Sequence, residues 1–209
     1  EELKDAKKAM GENKYEQEFE ISFEAPIVGA YYGELLKELI DKNRIRELPT
    51  EAATQKITAW DLGMSDSTAI WVAETISGEV RLMDFYEASG ESLDHYIAWL
   101  DEKGYRDYTH IMPHDVNVRE LQTGKSRYQF LTEAGLEIEV APKSSVEDGI
   151  QAARRMIPNC WFNKDRTRSG LECLQNYRRV FNEKTSSFKN RPLHDWSSHA
   201  ADAFRYLAL

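Results

Sequence analysis

The 209-residue sequence predicts an α/β fold with a mixed central β-sheet flanked by α-helices. The first observation is a pair of β-branched and aromatic runs joined by Ser77 and Gly78, a dipeptide typical of a hairpin turn. The second is that short apolar runs after residue 92 alternate with amphipathic helical patterns. Because such alternation is typical of parallel strands joined by helices, the two observations together predict a sheet with both strand directions.

The N-terminal part of the chain differs from the rest. Residues 1–28 are polar and poorly periodic, whereas residues 29–41 carry leucine and isoleucine on one helical stripe. A connector follows, in which Pro49 ends any helix. We therefore place a domain boundary after this connector. Residues 1–54 are predicted to be an N-terminal extension, and residues 55–209 are predicted to form one domain.

The predicted domain contains strands and helices in alternation. Six β-rich segments are expected to be strands: 56–61, 68–76, 80–86, 109–114, 136–140 and 160–162. Five segments with helical periodicity are expected to be helices: 92–103, 126–134, 146–157, 167–181 and 197–209. Gly104 and Gly135 follow two of these helices, where glycine commonly ends a helix. Residues 182–192 are expected to form a loop or small hairpin that gates access to a site.

The composition limits the classes of protein that the sequence can represent. No apolar run approaches 18 residues, so no membrane-spanning helix is expected. The spacing of Cys160 and Cys173 indicates neither a disulfide framework nor a zinc site. The formal net charge is −9, yet residues 119–191 hold 14 basic and 9 acidic residues, a local charge of +5. This distribution allows a polyanion to bind beside an acidic pocket, although charge alone is explained more simply by a solvated surface.

Three aspartates occupy positions where acidic side chains can meet. Asp61 ends the first predicted strand, and Gly63 permits a tight turn after it. Asp115 ends another predicted strand, and the carboxyl ends of parallel strands meet at one edge of a sheet. Asp202 lies on the last helix, on one stripe with His199. Each acid alone is also compatible with an ordinary turn or a solvated helix face.

Acids that meet in this way favour a metal site. Three carboxylates at one spot repel one another unless cations neutralise them. Their hard oxygen atoms suit Mg²⁺ or Mn²⁺ rather than zinc. Two such ions about 4 Å apart activate water and stabilise the leaving oxygen of a phosphodiester, as nucleases require. Three histidines could assist as ligands or proton carriers, or serve the structure only: His114, His194 and His199.

Four segments resemble the large terminase subunit of tailed bacteriophages and prophages, and in particular its C-terminal nuclease domain. They are DLGMSDSTA from residue 61, HDV from residue 114, HDWSSHAADAFRY from residue 194, and the stretch 17–45, which resembles the connection between terminase ATPase and nuclease. The resemblance covers nearly the whole chain. It implies a ribonuclease-H-like fold and a metal-dependent endonuclease. Such an enzyme cuts double-stranded viral DNA with little sequence preference during genome packaging.

The resemblance also implies roles for individual residues. Asp61, Asp115 and Asp202 match the three metal-binding acids of the family, so they would be the catalytic residues and would hold Mg²⁺ or Mn²⁺, two ions per site. Three further residues match accessory positions near the metals: Asp66, Asp195 and His199.

The same resemblance implies partners. These are double-stranded DNA, the terminase ATPase domain, the small terminase subunit and the portal, in the cytoplasm of the bacterial host and without a membrane. Residues 1–54 would be the end of a missing ATPase domain and its linker. Residues 119–126 end like a phosphate-binding loop, but Arg119 stands where the first glycine is needed. We therefore expect no ATPase motor in this sequence and interpret Lys125 and Ser126 as a loop and helix start.

Nine basic side chains are predicted to contact DNA phosphates without reading sequence. They are Lys125, Arg127, Lys143, Arg154, Arg155, Arg166, Arg168, Arg178 and Arg179. For any single one of them, an ordinary surface ion pair is the simpler explanation, and only the set as a whole favours DNA contact.

Three alternative functions stay open. An Asp-x-Gly on a first strand also occurs in actin- and sugar-kinase-like ATPases, but that class needs glycine-rich phosphate loops, and the 11 glycines here are scattered. A non-catalytic docking domain of the packaging motor, with vestigial acids, is the second. Another ribonuclease-H-like nuclease, directed at RNA or Holliday junctions, is the third. Metal-dependent cleavage separates the nuclease from the docking domain, and nucleotide binding separates it from the ATPase.

Overall fold

A computed structural model describes residues 27–49, 52–63, 66–119 and 124–209. Most of the predicted polar extension, up to residue 26, lies outside the described residues, as do 120–123 in the loop-like segment before the predicted helix at 126. Within the described ranges, no helix is both long enough and apolar enough to cross a membrane.

The described residues form nine strands: β1 (Ile45–Arg46), β2 (Gln55–Asp61), β3 (Ser67–Ile76), β4 (Glu79–Ser89), β5 (Thr109–Met112), β6 (Glu137–Val140), β7 (Cys160–Asn163), β8 (Arg179–Asn182) and β9 (Ser187–Pro192). Seven of them form one sheet in the order β1-β7-β4-β3-β2-β5-β6. The pairs β2/β3 and β3/β4 are antiparallel, and β2/β5, β5/β6, β4/β7 and β1/β7 are parallel. The predicted mixed sheet is therefore confirmed, and the carboxyl ends of β2, β4 and β5 lie at the same edge.

Helices cover both faces of this sheet. They are α1 (Gly33–Asp41), α2 (Leu93–Lys103), α3 (Arg127–Glu133), α4 (Val146–Met156), α5 (Arg168–Asn176) and α6 (Ser198–Ala208). One apolar cluster joins α1, α4, α5 and α6 to the sheet, and a second joins α2 and α3 to the opposite face. The last helix lies directly against β2 and β3, so its polar residues are placed beside the end of β2.

The predicted hairpin between β3 and β4 is confirmed. Ser77 and Gly78 both have positive φ, 52° and 84°, which is the geometry of a type I′ turn. The strand β4 continues beyond the predicted end at residue 86 as far as Ser89. This extension places Glu87 on the sheet.

The predicted helix over 167–181 was wrong at its C-terminal end. The helix α5 ends at Asn176, and Tyr177 adopts an extended conformation. The chain then pairs with other segments, because Arg178 bridges to Ala30 and β8 pairs with β9. Tertiary pairing thus overrides local helical periodicity. The hairpin β8–β9 confirms the prediction of a loop or small hairpin over 182–192, with Phe181 and Phe188 in contact at its exposed surface.

Residues that precede the predicted domain boundary pack against the rest of the chain. The described part of this segment begins at residue 27, and Tyr32, Leu36 and Leu39 lie in the larger apolar cluster. The strand β1, which the sequence analysis did not predict, pairs with β7. The boundary near residue 54 stays a prediction, but this neighbouring segment contributes to the same core.

The strands β2 and β5 are also joined by a buried chain of hydrogen bonds. Trp60 Nε1 donates to Thr58 Oγ1 at 2.7 Å, and Thr58 Oγ1 lies 2.6 Å from Nδ1 of His110. Nε2 of His110 lies 3.1 Å from the carbonyl oxygen of Arg106, which can only accept, so Nε2 carries a proton. In the neutral imidazole, which burial favours, Nδ1 accepts the proton of the Thr58 hydroxyl. Burial lowers the pKa of His110, in agreement with this arrangement.

Candidate active site

Asp61 is the last residue of β2, at the edge of the sheet where β4 and β5 also end. The turn that follows needs glycine, because a Cβ at Gly63 would lie 2.5 Å from the main-chain oxygen of Ser67. The carboxylate is partly buried, and burial is the main reason that the pKa of Asp61 is raised. The negative charge of Asp202 raises this pKa further, while a hydrogen bond from His199 lowers it. A buried acid next to a second acid is an arrangement that favours a bound cation.

The helix α6 carries two further residues of the site, His199 and Asp202. Its small and apolar residues Ala200, Ala203 and Phe204 are fully buried, and the indole Nε1 of Trp71 donates to the carbonyl oxygen of Ala200 at 2.8 Å. These contacts fix the rotation of the helix about its axis. The opposite stripe therefore faces the edge of the sheet, where Nδ1 of His199 lies 2.9 Å from Oδ2 of Asp61.

Asp202 lies one turn further along α6 and is held by an arginine on the same helix. Its Oδ1 accepts from Nε of Arg205 at 3.1 Å and from Nη2 at 2.6 Å. The arginine is buried and lies against Gly149 of α4, where a Cβ would be 3.0 Å from Nη1. Burial lowers the pKa of Arg205, but the negative charge of Asp202 raises it by more. The pKa of Arg205 is therefore raised overall.

The phenol of Tyr206 lies within electrostatic reach of the three predicted acids. Burial is the first cause that raises the pKa of its phenol to about 12, and the negative charges of Asp61, Asp202 and Asp115 each raise it as well. The three aspartates come from β2, from α6 and from the turn after β5. Their fields therefore reach the same hydroxyl, as expected for side chains that share one edge of the sheet.

The position of Asp115 differs from the prediction in one respect. The strand β5 ends at Met112, and Asp115 lies in the short 3₁₀-helix His114–Asn117 rather than at the end of a strand. Pro113 precedes this turn with an extended conformation and cannot donate to a sheet ladder, so the strand stops before it. Asp115 is exposed, unlike Asp61.

Glu87 is a further acid at this edge that the sequence analysis missed. It pairs with Ala69 on β3, and Ala69 pairs with Asp61 on β2. Residues opposite one another in neighbouring strands project from the same face, so Glu87 and Asp61 share a face. Burial raises the pKa of Glu87, a hydrogen bond from Ser67 lowers it, and the charges of His199 and Asp61 also act on it. Counting outward from the turn at Ser77 would instead place Tyr86 opposite Ala69, because a β-bulge between Val72 and Ala73 shifts the register by one residue, so the sequence pattern carries no signal for Glu87.

The accessory residues border an open cavity of about 320 Å³ beside His199. Asp66, His194 and Asp195 line it, and the rings of His194 and His199 lie 5.8 Å apart. The carboxylate of Asp195 is engaged at the start of α6, since its Oδ1 accepts from Ser197 N at 3.0 Å and from Ser197 Oγ at 2.6 Å. A role for Asp66 or Asp195 as metal ligand stays a prediction.

The donor set suits a divalent cation, although the side chains are not gathered into a closed metal cage. Among the described residues, no group of three or more His, Cys, Asp and Glu side chains is close enough together to hold a metal ion. Asp202 instead accepts from Arg205, and Asp61 is bonded to His199. The oxygen donors are of the kind that Mg²⁺ and Mn²⁺ prefer, and the partly buried charge of Asp61 is one that a cation would stabilise. Chemically, the residues fit such an ion.

The nine basic residues predicted to contact DNA are distributed over several elements. Lys125 and Arg127 line a cavity of about 410 Å³ that opens beside Leu62 and Gly63, just after Asp61. Three of the others make contacts within the protein. Arg154 donates to the carbonyl oxygen of Tyr31, Arg168 donates to the carboxylate of Glu172, and Arg179 lies over the ring of Tyr31. The remaining four are exposed or half-buried: Lys143, Arg155, Arg166 and Arg178. Their role in DNA binding stays a prediction.

Solved structures of similar fold come from phage packaging proteins. The large terminase of a thermophilic bacteriophage, in complex with ADP, aligns over 83% of this chain with a TM-score of 0.66 and 14% identity. The P22 large terminase nuclease domain aligns over 78% of this chain and 86% of its own, with a TM-score of 0.58 and 19% identity. The nuclease of the large terminase from the thermophilic phage G20c, with bound magnesium, aligns over 87% of this chain and 98% of its own, with a TM-score of 0.55 and 16% identity.

The chain has the fold of a large-terminase nuclease domain. The predicted ribonuclease-H-like fold is thereby confirmed, as is the resemblance that the three acidic segments carried. No protein-family model matches the chain, and no curated protein matches it in sequence. The chain spans 44% of the ADP-bound large terminase, and nearly all of the isolated G20c nuclease. In this terminase-type fold, the edge that carries Asp61 and α6 is the candidate active site.

Proposed function

We propose that the chain is a divalent-metal-dependent endonuclease that cuts double-stranded DNA with little sequence preference. The observation that supports the proposal is the partly buried Asp61, which is hydrogen-bonded to His199 of α6 and affected by the charge of Asp202, at the edge of a sheet with the fold of terminase nucleases. The structure of the G20c nuclease, which has bound magnesium, supports the use of a divalent cation. Carboxylate oxygens are the ligands that such cations prefer.

The three aspartates would hold Mg²⁺ or Mn²⁺, two ions per site, and Glu87 would lie beside them. Such ions, when bound, make water a better nucleophile and neutralise the charge that develops on the phosphodiester. The protein's own contribution is to place the carboxylates. The sheet fixes Asp61, and the packing of α6 fixes Asp202.

His199 and Arg205 adjust the charge of these carboxylates. Nδ1 of His199 donates a hydrogen bond to Oδ2 of Asp61. This hydrogen bond lowers the pKa of Asp61 and so opposes the effect of burial, which raises it. Arg205 neutralises Asp202 through two hydrogen bonds from within the core. We propose that both are positioning residues, which keep the carboxylates ionised and correctly oriented while substrate enters.

The wider context of the reaction is also part of the proposal. We propose that this nuclease is a piece of the large terminase subunit of a tailed phage or prophage, and that it cuts viral DNA during genome packaging. It would then act with an ATPase domain, the small terminase subunit and the portal in the cytoplasm of the bacterial host. The basic residues, among them Lys125 and Arg127 in the cavity beside Leu62 and Gly63, would contact the phosphates of the duplex.

Cleavage of supercoiled plasmid tests the proposal. The protein is incubated with Mg²⁺, Mn²⁺ or EDTA, and nicked and linear products are quantified. Asp61→Asn and Asp202→Asn remove one charge each at the site. Asp107→Asn is the matched control, because Asp107 is an exposed acid just before β5, at the opposite end of that strand from Asp115.

We expect cleavage that requires the metal, falls to background in both site variants and is unchanged in Asp107→Asn. Circular dichroism verifies that every variant is folded. A folded wild-type protein that leaves the plasmid intact with each metal would overturn the nuclease proposal in favour of the docking domain. Cleavage that survives in Asp61→Asn and Asp202→Asn would show that the acids at this edge are not the reacting site.

A further inference from the structure

Trp196 is a large aromatic side chain that the fold leaves in solvent beside the candidate active site. Its side chain is 58% exposed, whereas Trp60 and Trp71 are fully buried. It lies in the connection between the hairpin β8–β9 and α6, and it lines the cavity of about 320 Å³ that His199 also lines. Because His199 is bonded to Asp61, this cavity opens directly onto the acidic edge of the sheet.

The main chain around the indole is held by hydrogen bonds. Asp195 accepts from Ser197 through its carboxylate, and its main-chain oxygen accepts from Ser198 N at 3.0 Å. Asp195 N in turn donates to Ser198 Oγ at 3.0 Å. Ser197 and Ser198 are themselves buried at the start of α6. Trp196 is therefore presented by an ordered turn, and its exposure is not the result of a loosely held loop.

An exposed tryptophan forgoes the hydrophobic stabilisation that burial would give, and the described part of the chain does not cover this ring, which leaves its face open to a partner. The charges of the cavity restrict the chemistry of that partner. Asp66 and Asp195 line the cavity with the indole, and their carboxylates disfavour a phosphate there. A nucleobase carries no charge, and every base offers a flat face on which an aromatic ring can stack.

The proposed cleavage reaction places such a base next to Trp196. If the scissile phosphate lies at Asp61, the nucleoside attached to it must occupy space adjacent to His199. We propose that Trp196 stacks on a nucleobase of the cleaved strand, next to the scissile phosphate. This proposal rests on the proposed nuclease function. Within the double-stranded substrate, it requires that one base next to the cleavage point is unstacked, so nicked or frayed duplex DNA is bound in preference to an intact duplex.

Binding measured without cleavage tests the stacking contact. The probe is a short single-stranded thymidine oligonucleotide in EDTA. The matched probe is an oligomer of the same length and charge that carries abasic sugars. Tryptophan fluorescence reports the contact, because stacking of a base on an indole quenches its emission. The variants are Trp196→Ala, Trp196→Phe and, as control, Trp99→Phe, since Trp99 is half-buried and stacked on Tyr86.

We expect the thymidine oligomer to quench the wild type and Trp99→Phe, and the abasic oligomer to bind more weakly and without this quenching. Trp196→Ala should weaken binding of the thymidine oligomer by about 5- to 160-fold, the range for loss of one stacked base. Trp196→Phe should restore most of the affinity without the quenching. Because Trp196 is exposed, these variants should unfold at the wild-type temperature.

Equal affinity of wild type and Trp196→Ala for the thymidine oligomer would overturn the proposal, as would equal affinity of the wild type for both oligomers. The plasmid assay separates the two proposals. A wild type that cleaves plasmid while Trp196→Ala binds the oligomer normally would refute stacking and leave the nuclease standing. A wild type that does not cleave would refute the nuclease whatever the oligomer shows.

Discussion

Nδ1 of His199 and Oδ2 of Asp61 lie 2.9 Å apart, although 138 residues separate them in the sequence. This hydrogen bond joins the last strand residue of β2 to the first turn of α6. It also sets the ionisation of both groups, because it lowers the pKa of Asp61 against the effect of burial and raises the pKa of His199. The acid that would bind a cation thus depends on a residue of another element.

The first prediction concerns the pH dependence of cleavage in His199→Gln. Loss of the hydrogen bond from His199 raises the pKa of Asp61, so a higher pH is needed to ionise the carboxylate. The acidic limb of the pH profile should therefore move to higher pH. Initial rates of plasmid nicking in Mg²⁺ between about pH 5.5 and 8.5 measure this shift. His95→Gln, on α2, should keep the wild-type limb, and an unshifted limb in His199→Gln would contradict the prediction.

The second prediction concerns the ion pair between Arg205 and Asp202. Arg205→Met leaves the carboxylate of Asp202, only 28% exposed, without its partner. Because removing one member of a buried pair strands the other charge, we expect a loss of about 3 kcal/mol in the free energy of unfolding. Urea denaturation measures it. The double variant Arg205→Met/Asp202→Asn should recover part of this loss, and strictly additive effects of the two substitutions would refute the coupling.

The third prediction concerns close packing at Gly170 on α5. A Cβ at this position would overlap the ring of Trp71 and lie 2.7 Å from Cγ of Phe85. Alanine favours a helix over glycine by about 1 kcal/mol, but overpacking costs about 1–3 kcal/mol or more. We expect Gly170→Ala to be destabilised by roughly 2 kcal/mol in urea denaturation. Ser169→Ala, an exposed change on the same helix, should be near neutral, and a stabilised Gly170→Ala would show that the rings can move aside.

The fourth prediction is a pH dependence of stability that originates at His110. Because burial lowers its pKa in the folded state below the usual 6.5, the unfolded chain takes up a proton first as the pH falls. The contribution of neutral His110 to the free energy of unfolding is complete above pH 6.5. It is lost as the pH falls below this value, because protonation then favours the unfolded chain. The free energy of unfolding of the wild type should therefore decrease more between about pH 7.5 and 5.5 than that of His110→Gln. His199, whose pKa is raised, contributes with the opposite sign in both proteins, so equal slopes would refute the assignment to His110.

The strands and acids that sequence reasoning found are those with strong local signals. The hairpin at Ser77 and Gly78 has the turn residues that a type I′ geometry requires, and Asp61 follows a clear apolar run. The two-residue strand β1 has no such signal, because only its pairing with β7 makes it a strand. The same reason explains why α5 ends at Asn176, since the pairing of Arg178 with Ala30 has no trace in the local pattern.

In the candidate site, too, residues with a local sequence signal were predicted, and contacts that depend on the tertiary structure were not. Asp202 could be placed on a helix face from its spacing, and its buried neighbours Ala200 and Phe204 agree with that placement. The pairing of Asp202 with Arg205 could not be foreseen, because an arginine on a helix is usually exposed and this one is buried. Glu87 was missed because its alignment with Asp61 runs across β3 and depends on the β-bulge that shifts the register of β3 and β4 by one residue.

The separation of 138 residues between Asp61 and His199 also bears on the order in which the molecule folds. Closing so long a loop costs more chain entropy than pairing β3 with β4, whose ends are joined by a tight turn. We therefore expect the hairpins to form early and α6 to dock on β2 late. A newly synthesised chain would then possess its sheet before it possesses a complete candidate site, and the proposed activity would appear only in the final step of its folding.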